Sequence, residues 1–360
     1  MPLRIKQIKQ WLENELQAEL QSFAPASNDA SFRRYFRVSF KQAVLKMPVD
    51  QSFVVMDAPP EKESLTEFIS IASSLEKTGI NVPHLYAVNE ADGFILMSDL
   101  GNTAYLSLLD SSLNNAPDFA QADKLYSDAM SALVLMQVGM QESGTERKSL
   151  ALPEYDAQRL RAEMDLLPQW YIKVHCQQDL DASQQAMLDN TMAVLIHSAQ
   201  EQPQVFVHRD YHSRNLMFLA AHNPGVIDFQ DAVIGPITYD LVSLLRDSYI
   251  AWPEEKVYAW VEQYRQILLS KGLLVKDDKA QFIRWFDWMG IQRQLKVVGI
   301  FCRLNYRDGK SNYLNDIPQT LNYLFSVCAR YPEFADLLQL LQSLEHSSGS
   351  ANSTEKVSSA

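Results

Sequence analysis

Val205-Phe206-Val207-His208-Arg209-Asp210-Tyr211-His212-Ser213-Arg214-Asn215-Leu216-Met217, taken up again at Val226-Ile227-Asp228-Phe229-Gln230-Asp231, is the stretch from which the rest of the chain can be read. Two short apolar, β-branched runs each lead into an acid, the pattern of strands that end at a loop. Asn215 lies five residues after Asp210 and thirteen before Asp228, so an acid, an amide and a second acid stand at fixed spacing. Asp and Asn also favour plain turns, because their side chains bond nearby backbone. A plain turn gives no reason for a second β-branched pair to run into Asp228-Phe229.

The spacing is that of a protein-kinase catalytic loop, H-R-D-x-x-x-x-N, followed by a metal-binding D-F-G. His208, Arg209, Asp210 and Asn215 satisfy the first part and Asp228-Phe229 the second, with Gln230 where kinases carry Gly. Phosphoryl transfer needs a carboxylate that orients and deprotonates the attacking hydroxyl, and Asp210 is placed to be that base. It also needs hard oxygen ligands for Mg²⁺, an ion that takes one or two carboxylates beside the phosphates themselves. Asn215 offers an amide oxygen and Asp228 a charged one. His208 is expected to brace the loop through hydrogen bonds rather than to do chemistry.

At 360 residues the chain is long enough for two lobes or domains. A net charge of −12 argues against nucleic acid or an anionic membrane as the main partner. Cys176, Cys302 and Cys328 are odd in number and widely separated. They read as free buried thiols of a reducing compartment. Polar residues interrupt the N-terminal segment, and no apolar run is long enough to span a bilayer. The expectation is a soluble, cytoplasmic protein, active as a monomer.

The first part of the chain reads as a helix over Arg4–Leu20, a short extended piece at Phe23–Ser27, and strands at Phe32–Phe40, Ala43–Met47 and Phe53–Met56. A helix over Glu61–Lys77, with acids in its first turn and Gly79 as its stop, precedes strands at His84–Val88 and Phe94–Met97. Beyond the connector Ser98-Asp99-Leu100-Gly101-Asn102 the pattern is helical, with candidate helices at 118–140, 156–170, 180–200, 238–250, 254–271, 278–304, 316–330 and 333–345. Residues 347–360 are Ser-rich, lack large apolar groups, and read as a disordered tail.

Four stretches carry a family likeness: Asp29–Arg37, Met56-Asp57-Ala58-Pro59-Pro60, the His208–Asp231 motif, and Gly290-Ile291-Gln292-Arg293-Gln294-Leu295-Lys296 with its continuation to Lys310. From about residue 5 to residue 340 the chain resembles the aminoglycoside phosphotransferase family of the protein-kinase-like fold. Within it, the Arg-rich strand and the late helix are most similar to the bacterial anomeric sugar kinases of peptidoglycan recycling. The resemblance implies a two-lobed α+β fold, with a small β-rich lobe at 1–97 that caps a nucleotide, a hinge at 98–102, and a larger helical catalytic and acceptor-binding lobe at 103–346. It implies ATP and Mg²⁺ as cofactors, Asp210 as base, Asn215 and Asp228 as metal ligands, and adenine contacts from the backbone of Ser98, Asp99 and Leu100.

Two departures stand out. Kinases cover the phosphates with a G-x-G-x-x-G loop, whereas this chain has Asn28-Asp29-Ala30-Ser31. Asn and Asp tolerate left-handed backbone, so a phosphate turn with Asn28 and Ser31 as donors stands beside a plain hairpin turn. The phosphate-gripping lysine is open as well. Val44-Leu45-Lys46 looks like the third-strand V-x-K signature, yet Val55-Met56-Asp57 lies nearer the helix where that strand belongs. Lys46, Arg33 and Arg34 remain the cations to weigh, with Glu63 and Glu67 as ion-pair partners if Lys46 holds the place.

An acceptor cleft built for a polycation should be lined with acids. The stretch 282–304 instead carries Arg284, Arg293, Lys296 and Arg303, with Arg307 following. Positions 293, 296 and 303 are three and seven apart and can share a helix face. Arginines there can clamp a carboxylate bidentately, or simply be exposed charges whose stems cover the core. The resemblance implies a small amino-sugar acceptor, the anomeric hydroxyl of N-acetylmuramate and/or N-acetylglucosamine. His212, Arg214, Asp231, Arg293, Arg303 and Arg307 are the candidate substrate-side residues. Alternatives are a kinase of another small hydroxylated metabolite, such as an aminoglycoside, choline or homoserine, and a nucleotide-binding pseudokinase, which the absent glycines favour.

Overall fold

Alternating apolar positions near the start of the chain build a five-stranded antiparallel sheet. In the computed structural model, which describes residues 2–27, 32–48, 51–110, 118–142 and 152–355, its strands are β1 (Leu20–Ser27), β2 (Arg34–Phe40), β3 (Phe53–Asp57), β4 (Leu85–Asn89) and β5 (Phe94–Ser98), in the order β1-β2-β3-β5-β4. Phe36, Val38, Phe40, Phe53, Val55, Phe94 and Leu96 share one face, where Ile8 and Leu12 of helix α1 (Pro2–Leu16) pack on them. Met56, Ile95 and Met97 alternate to the opposite face and are buried there too. Helix α2 (Thr66–Lys77) buries Phe68, Ile71, Ala72 and Leu75, and Gly79 follows it at φ 84°.

Two expectations in this region are corrected. The first helix ends at Leu16 rather than Leu20, because Leu20 already pairs with Phe40 as the start of β1. Ala43–Met47 is a tight turn and not a strand: Val44 bridges Met47, while Leu45 and Lys46 take the left-handed backbone at φ 54° and 64°. The third strand is therefore Phe53–Asp57.

The motif stretch uses four short strands, β6 (Gln204–Val207), β7 (Leu216–Met217), β8 (Gly225–Val226) and β9 (Val233–Pro236), with β6 paired to β9 and β7 to β8. The chain folds as two compact units. One contains Met1–Leu108 with Arg214–Asp231; the other contains Leu109–Gln141, Leu152–Ser213 and Ala232–Ala360. Asn215 and Asp228 thus fold with the sheet, and Asp210 with the helices.

The helices that follow the sheet are α3 (Tyr105–Leu109), α4 (Phe119–Glu142), α5 (Ala157–Met164), α6 (Ala182–Gln200), α7 (Tyr239–Leu245), α8 (Glu254–Ser270), α9 (Lys279–Tyr306), α10 (Ile317–Cys328) and α11 (Ala335–Glu355), with a π-helical segment at Leu167–His175. Asp156, Asp181 and Asp278 cap α5, α6 and α9 by accepting from backbone N–H groups of the first turn. Every residue of α9 from Phe286 to Gly299 is buried, so this helix is the axis of the helical unit rather than a surface element. Its glycines serve close packing. A Cβ on Gly299 would meet the Leu166 carbonyl oxygen at 2.5 Å, and one on Gly290 would meet Arg246 Nη1 at 2.6 Å. The three cysteines are free and buried. No helix among the described residues is long and apolar enough to cross a membrane. Helix α11 runs on to Glu355, into the segment expected as tail, and residues 356–360 lie outside the described residues.

Candidate active site

β6 delivers His208, fully buried, and then a loop whose shape is set by Asp240. Asp240 stands in the first turn of α7 and accepts from the backbone N–H of His208 at 2.6 Å and of Arg209 at 3.0 Å. Burial pushes its carboxyl up to about 7, against the pull of those two N–H donors. Arg209 takes φ 77°, a left-handed conformation that costs a non-glycine residue roughly 1–3 kcal/mol and persists only where its surroundings hold it. Here the holding groups are Asp240 and, at the guanidinium, Glu163. The Nδ1 of His208 accepts from the Asp210 N–H at 3.3 Å, and its ring meets Tyr211 edge-on.

Asp210 is only partly exposed, and burial by itself would raise its carboxyl. The charges of Lys296, His212, Arg209 and Arg293 outweigh that and hold it below the usual carboxylate range. Lys296 is buried with Nζ 2.9 Å from the Tyr239 hydroxyl and 3.2 Å from Glu163 Oε1. Glu163 therefore carries Lys296 and Arg209 together, with the Tyr155 hydroxyl also donating to it. Burial pushes the Glu163 carboxyl up, but the two cations and the hydroxyl more than reverse that.

Arg293, one turn before Lys296, is buried at 5% exposure, and its Nη1 has no hydrogen-bond partner among the described residues. Both amide atoms of the neighbouring Gln292 are likewise unpartnered among the described residues and fully buried. Such donors are uncommon in a folded interior and call for a ligand or an explanation. Ser213 closes the loop, its N–H and hydroxyl both donating to Asp247 Oδ2. His212 donates its backbone N–H to the Asp210 carbonyl at 3.0 Å and sets its ring edge-on to Tyr249.

In the sheet-bearing unit the β7–β8 hairpin brings Asn215 to Asp228. The Asn215 Nδ2 donates to Asp228 Oδ2 at 3.2 Å, and the Ile227 N–H donates to the Asn215 carbonyl at 3.1 Å. Asp228 itself sits at φ 66°, in the left-handed region that Asp tolerates better than most non-glycine residues. Gln230 replaces the kinase glycine usefully: its Nε2 donates to Asp228 Oδ1 at 2.7 Å and steadies the carboxylate. Phe229 stacks on Phe68 of α2 at 4.9 Å. One amide and one carboxylate so close together are a hard-oxygen donor set of the kind Mg²⁺ accepts when phosphates complete its shell.

Around the connector, Ser98 directs its N–H to the His84 carbonyl and its hydroxyl accepts from the His84 N–H. The Asp99 carboxylate takes Arg37 through two bonds, at 2.5 and 2.9 Å, the Ser52 hydroxyl at 2.7 Å and the Gly101 N–H at 3.0 Å. The backbone groups of Asp99 and Leu100 enter no such pairing among the described residues. Asn28 and Ser31 lie outside the described residues. Arg214 and Asp231 are exposed. Arg303 stands ten residues beyond Arg293, about 15 Å along the helix. Arg307 is exposed and bonds the adjacent Asp308. Sequence reasoning missed Glu163, Asp247 and the Arg37–Asp99 pair, for which no local signal exists, and it read Lys296 as part of an acceptor face when its partners are Glu163 and Tyr239.

The plan of the molecule defines its class. An antiparallel sheet in the order β1-β2-β3-β5-β4, a strained Arg–Asp loop after β6, and an Asn–Asp pair on the following hairpin are those of a two-lobed α+β, protein-kinase-like phosphotransferase. The solved structure of an ethanolamine kinase from Plasmodium vivax shares the fold, with a TM-score of 0.56 and 14% identity over 91% of this chain and 88% of that one. The chain belongs to the phosphotransferase enzyme family, which it matches over residues 22–274. It is 42% identical over 320 residues to a protein of Pseudomonas aeruginosa named N-acetylmuramate/N-acetylglucosamine kinase, covering 89% of this chain and 88% of that relative. A protein of the same name from Neisseria meningitidis is 40% identical over 337 residues, covering 94% and 95% of the two chains.

Proposed function

We propose that this enzyme moves the γ-phosphoryl group of ATP onto the anomeric hydroxyl of N-acetylmuramate and N-acetylglucosamine, in the cytoplasm, as a step of cell-wall recycling. Likeness of about two residues in five to kinases of those sugars, over nine tenths of both chains, supports the acceptor. The observation that carries the chemistry is the ionised Asp210 held among buried cations of the helical unit. It accepts the proton of the acceptor hydroxyl and keeps that oxygen aimed at the phosphorus. Catalysis is then mainly positioning and preorganised charge.

Asn215 and Asp228 would hold Mg²⁺, which when bound neutralises phosphate charge. The connector 98–102 would act as the hinge, with adenine read by the backbone of Asp99 and Leu100. Residues 1–97 would cap the nucleotide and residues 103–346 would bind the acceptor. On the acceptor side, Arg293 has the credentials of a carboxylate clamp: buried, near Asp210, and with an Nη1 unpartnered among the described residues.

Purified protein with ATP, Mg²⁺ and a panel of amino sugars, aminoglycosides and choline, scored by ADP release, tests the reading. Turnover on the two N-acetyl sugars is expected, and its absence there would sink the acceptor assignment. Asp228→Asn should raise the Mg²⁺ concentration needed for half-maximal rate by roughly tenfold or more, since losing even a residue that supports a metal ligand typically costs about 10–100-fold in metal affinity. An unchanged Mg²⁺ titration would remove Asp228 from the metal site. Arg293→Ala should raise KM for N-acetylmuramate by roughly tenfold more than for N-acetylglucosamine, which has no carboxylate to lose. Equal effects on both sugars would rule out the clamp.

A further inference from the structure

Kinases place a lysine on the third strand of the sheet and pair it with an acid of the next helix, so that its charge lies on the nucleotide phosphates. β3 reads Phe53-Val54-Val55-Met56-Asp57 and has no lysine. Period-two alternation shows what stands in its place. Phe53 and Val55 face α1, and Asp57 follows them to that side, where Arg4 of α1 and Arg34 of β2 grip its two oxygens. Val54 and Met56 face the other way, and Met56 is fully buried and uncharged.

The register extends the argument to β2. Tyr35 lies opposite Met56, so Arg37, two residues on, continues the same face, and Arg33 is the residue that immediately precedes the strand. Arg37 is committed to Asp99 and the Gly101 carbonyl. Arg34 is committed to Asp57 on the opposite face, and Lys46 is exposed in a turn outside the sheet. Arg33 is the one among these whose acid partner lies in the segment before α2. It is 9% exposed and reaches Glu63 at 2.9 Å, in the segment that leads into α2. The field of Arg33 also adds to hydrogen bonds from Ser64 and the helix backbone in lowering the Glu67 carboxyl of the first turn.

We propose that Arg33, oriented by Glu63, takes the place of the missing third-strand lysine and contacts the nucleotide phosphates. The cation has moved from β3 to the residue that leads into β2 while keeping the helix-side acid. Arginine suits the displaced position because its planar fork can hold a carboxylate with one edge and a phosphate with another, which a lysine ammonium cannot do with the same geometry. The inference rests on ATP being the phosphoryl donor.

Calorimetric titration of the full-length protein with ATP and, separately, with adenosine tests it without relying on turnover. Arg33→Met is expected to lose roughly 10- to 100-fold in ATP affinity, the range for a charge-assisted contact, while adenosine affinity stays within about twofold. Arg33→Lys should recover part of the loss, and Glu63→Gln should weaken ATP alone by a smaller factor. ATP affinity unchanged in Arg33→Met overturns the assignment. Equal losses for ATP and adenosine also overturn it, because they would make Arg33 a structural residue. Wild-type protein that binds neither ligand would instead refute the donor reading itself.

Discussion

Asp210→Asn is expected to lower kcat by roughly 10²- to 10⁴-fold, the span of general-base contributions, while leaving ATP affinity near that of the wild type. Asparagine keeps the size of the side chain and its place in the loop, so His208, Asp240 and Ser213 can go on holding the backbone as they do now. What it loses is the negative charge that Lys296, His212, Arg209 and Arg293 sustain. The same argument gives the pH dependence. A carboxyl held below its ordinary range stays deprotonated at neutral pH, so protonation of Asp210 itself should lower kcat only once the pH has dropped past the ordinary aspartate range, while Asp240, pushed up to about 7, titrates nearer neutrality. Steady-state kinetics with a separate ATP titration decides the matter. A matching loss of ATP affinity would mean that Asp210 is not the base.

The largest stability effect is expected at Glu163, which no motif marks. Glu163→Gln would leave Arg209 and Lys296 side by side without their shared acid, at a site where Glu163 is only 12% and Lys296 7% exposed. Removing one member of a buried ionic group typically costs about 3–5 kcal/mol, because the remaining charges are left uncompensated. For a protein whose whole stability is of order 5–15 kcal/mol, that is a large fraction. The exposed pair of Glu76 with His84 provides the contrast, and Glu76→Gln should change stability by less than about 1 kcal/mol.

Urea unfolding of both variants separates the cases. A loss below about 1 kcal/mol for Glu163→Gln would show that the cluster is not held by this acid. The pH behaviour follows from the direction of the shift. The Glu163 carboxyl is lowered in the folded protein, so its contribution is present above its unfolded pKa and is lost as pH falls through the folded one. The variant should lack that part of the acid destabilisation.

The reaction class was legible because its signal is contiguous. Asp210, Asn215 and Asp228 are set by spacing along one stretch, and the strands beside them follow from β-branched runs. The long helices were legible for a similar reason, since caps such as Asp156, Asp181 and Asp278 and a 3.6-residue apolar period are local properties. Tertiary structure decided which basic groups serve which purpose. Lys296 and Arg293 are three residues apart on one helix. Spacing shows that two such groups can share a face but not what opposes each of them. Lys296 meets Glu163, 133 positions earlier by number, and Arg293 keeps a donor unpartnered among the described residues.

The third strand gives the same lesson. Val44-Leu45-Lys46 and Val55-Met56-Asp57 looked equally good until pairing with β2 and β5 chose the second. Once that register is set, one residue of parity sends Asp57 to α1 and Met56 to the other face. Local chemistry along the chain therefore determined what reaction the protein performs. Which charges are buried, paired or left for a ligand was decided only by long-range packing, because a charge's environment belongs to distant elements that no window of sequence contains.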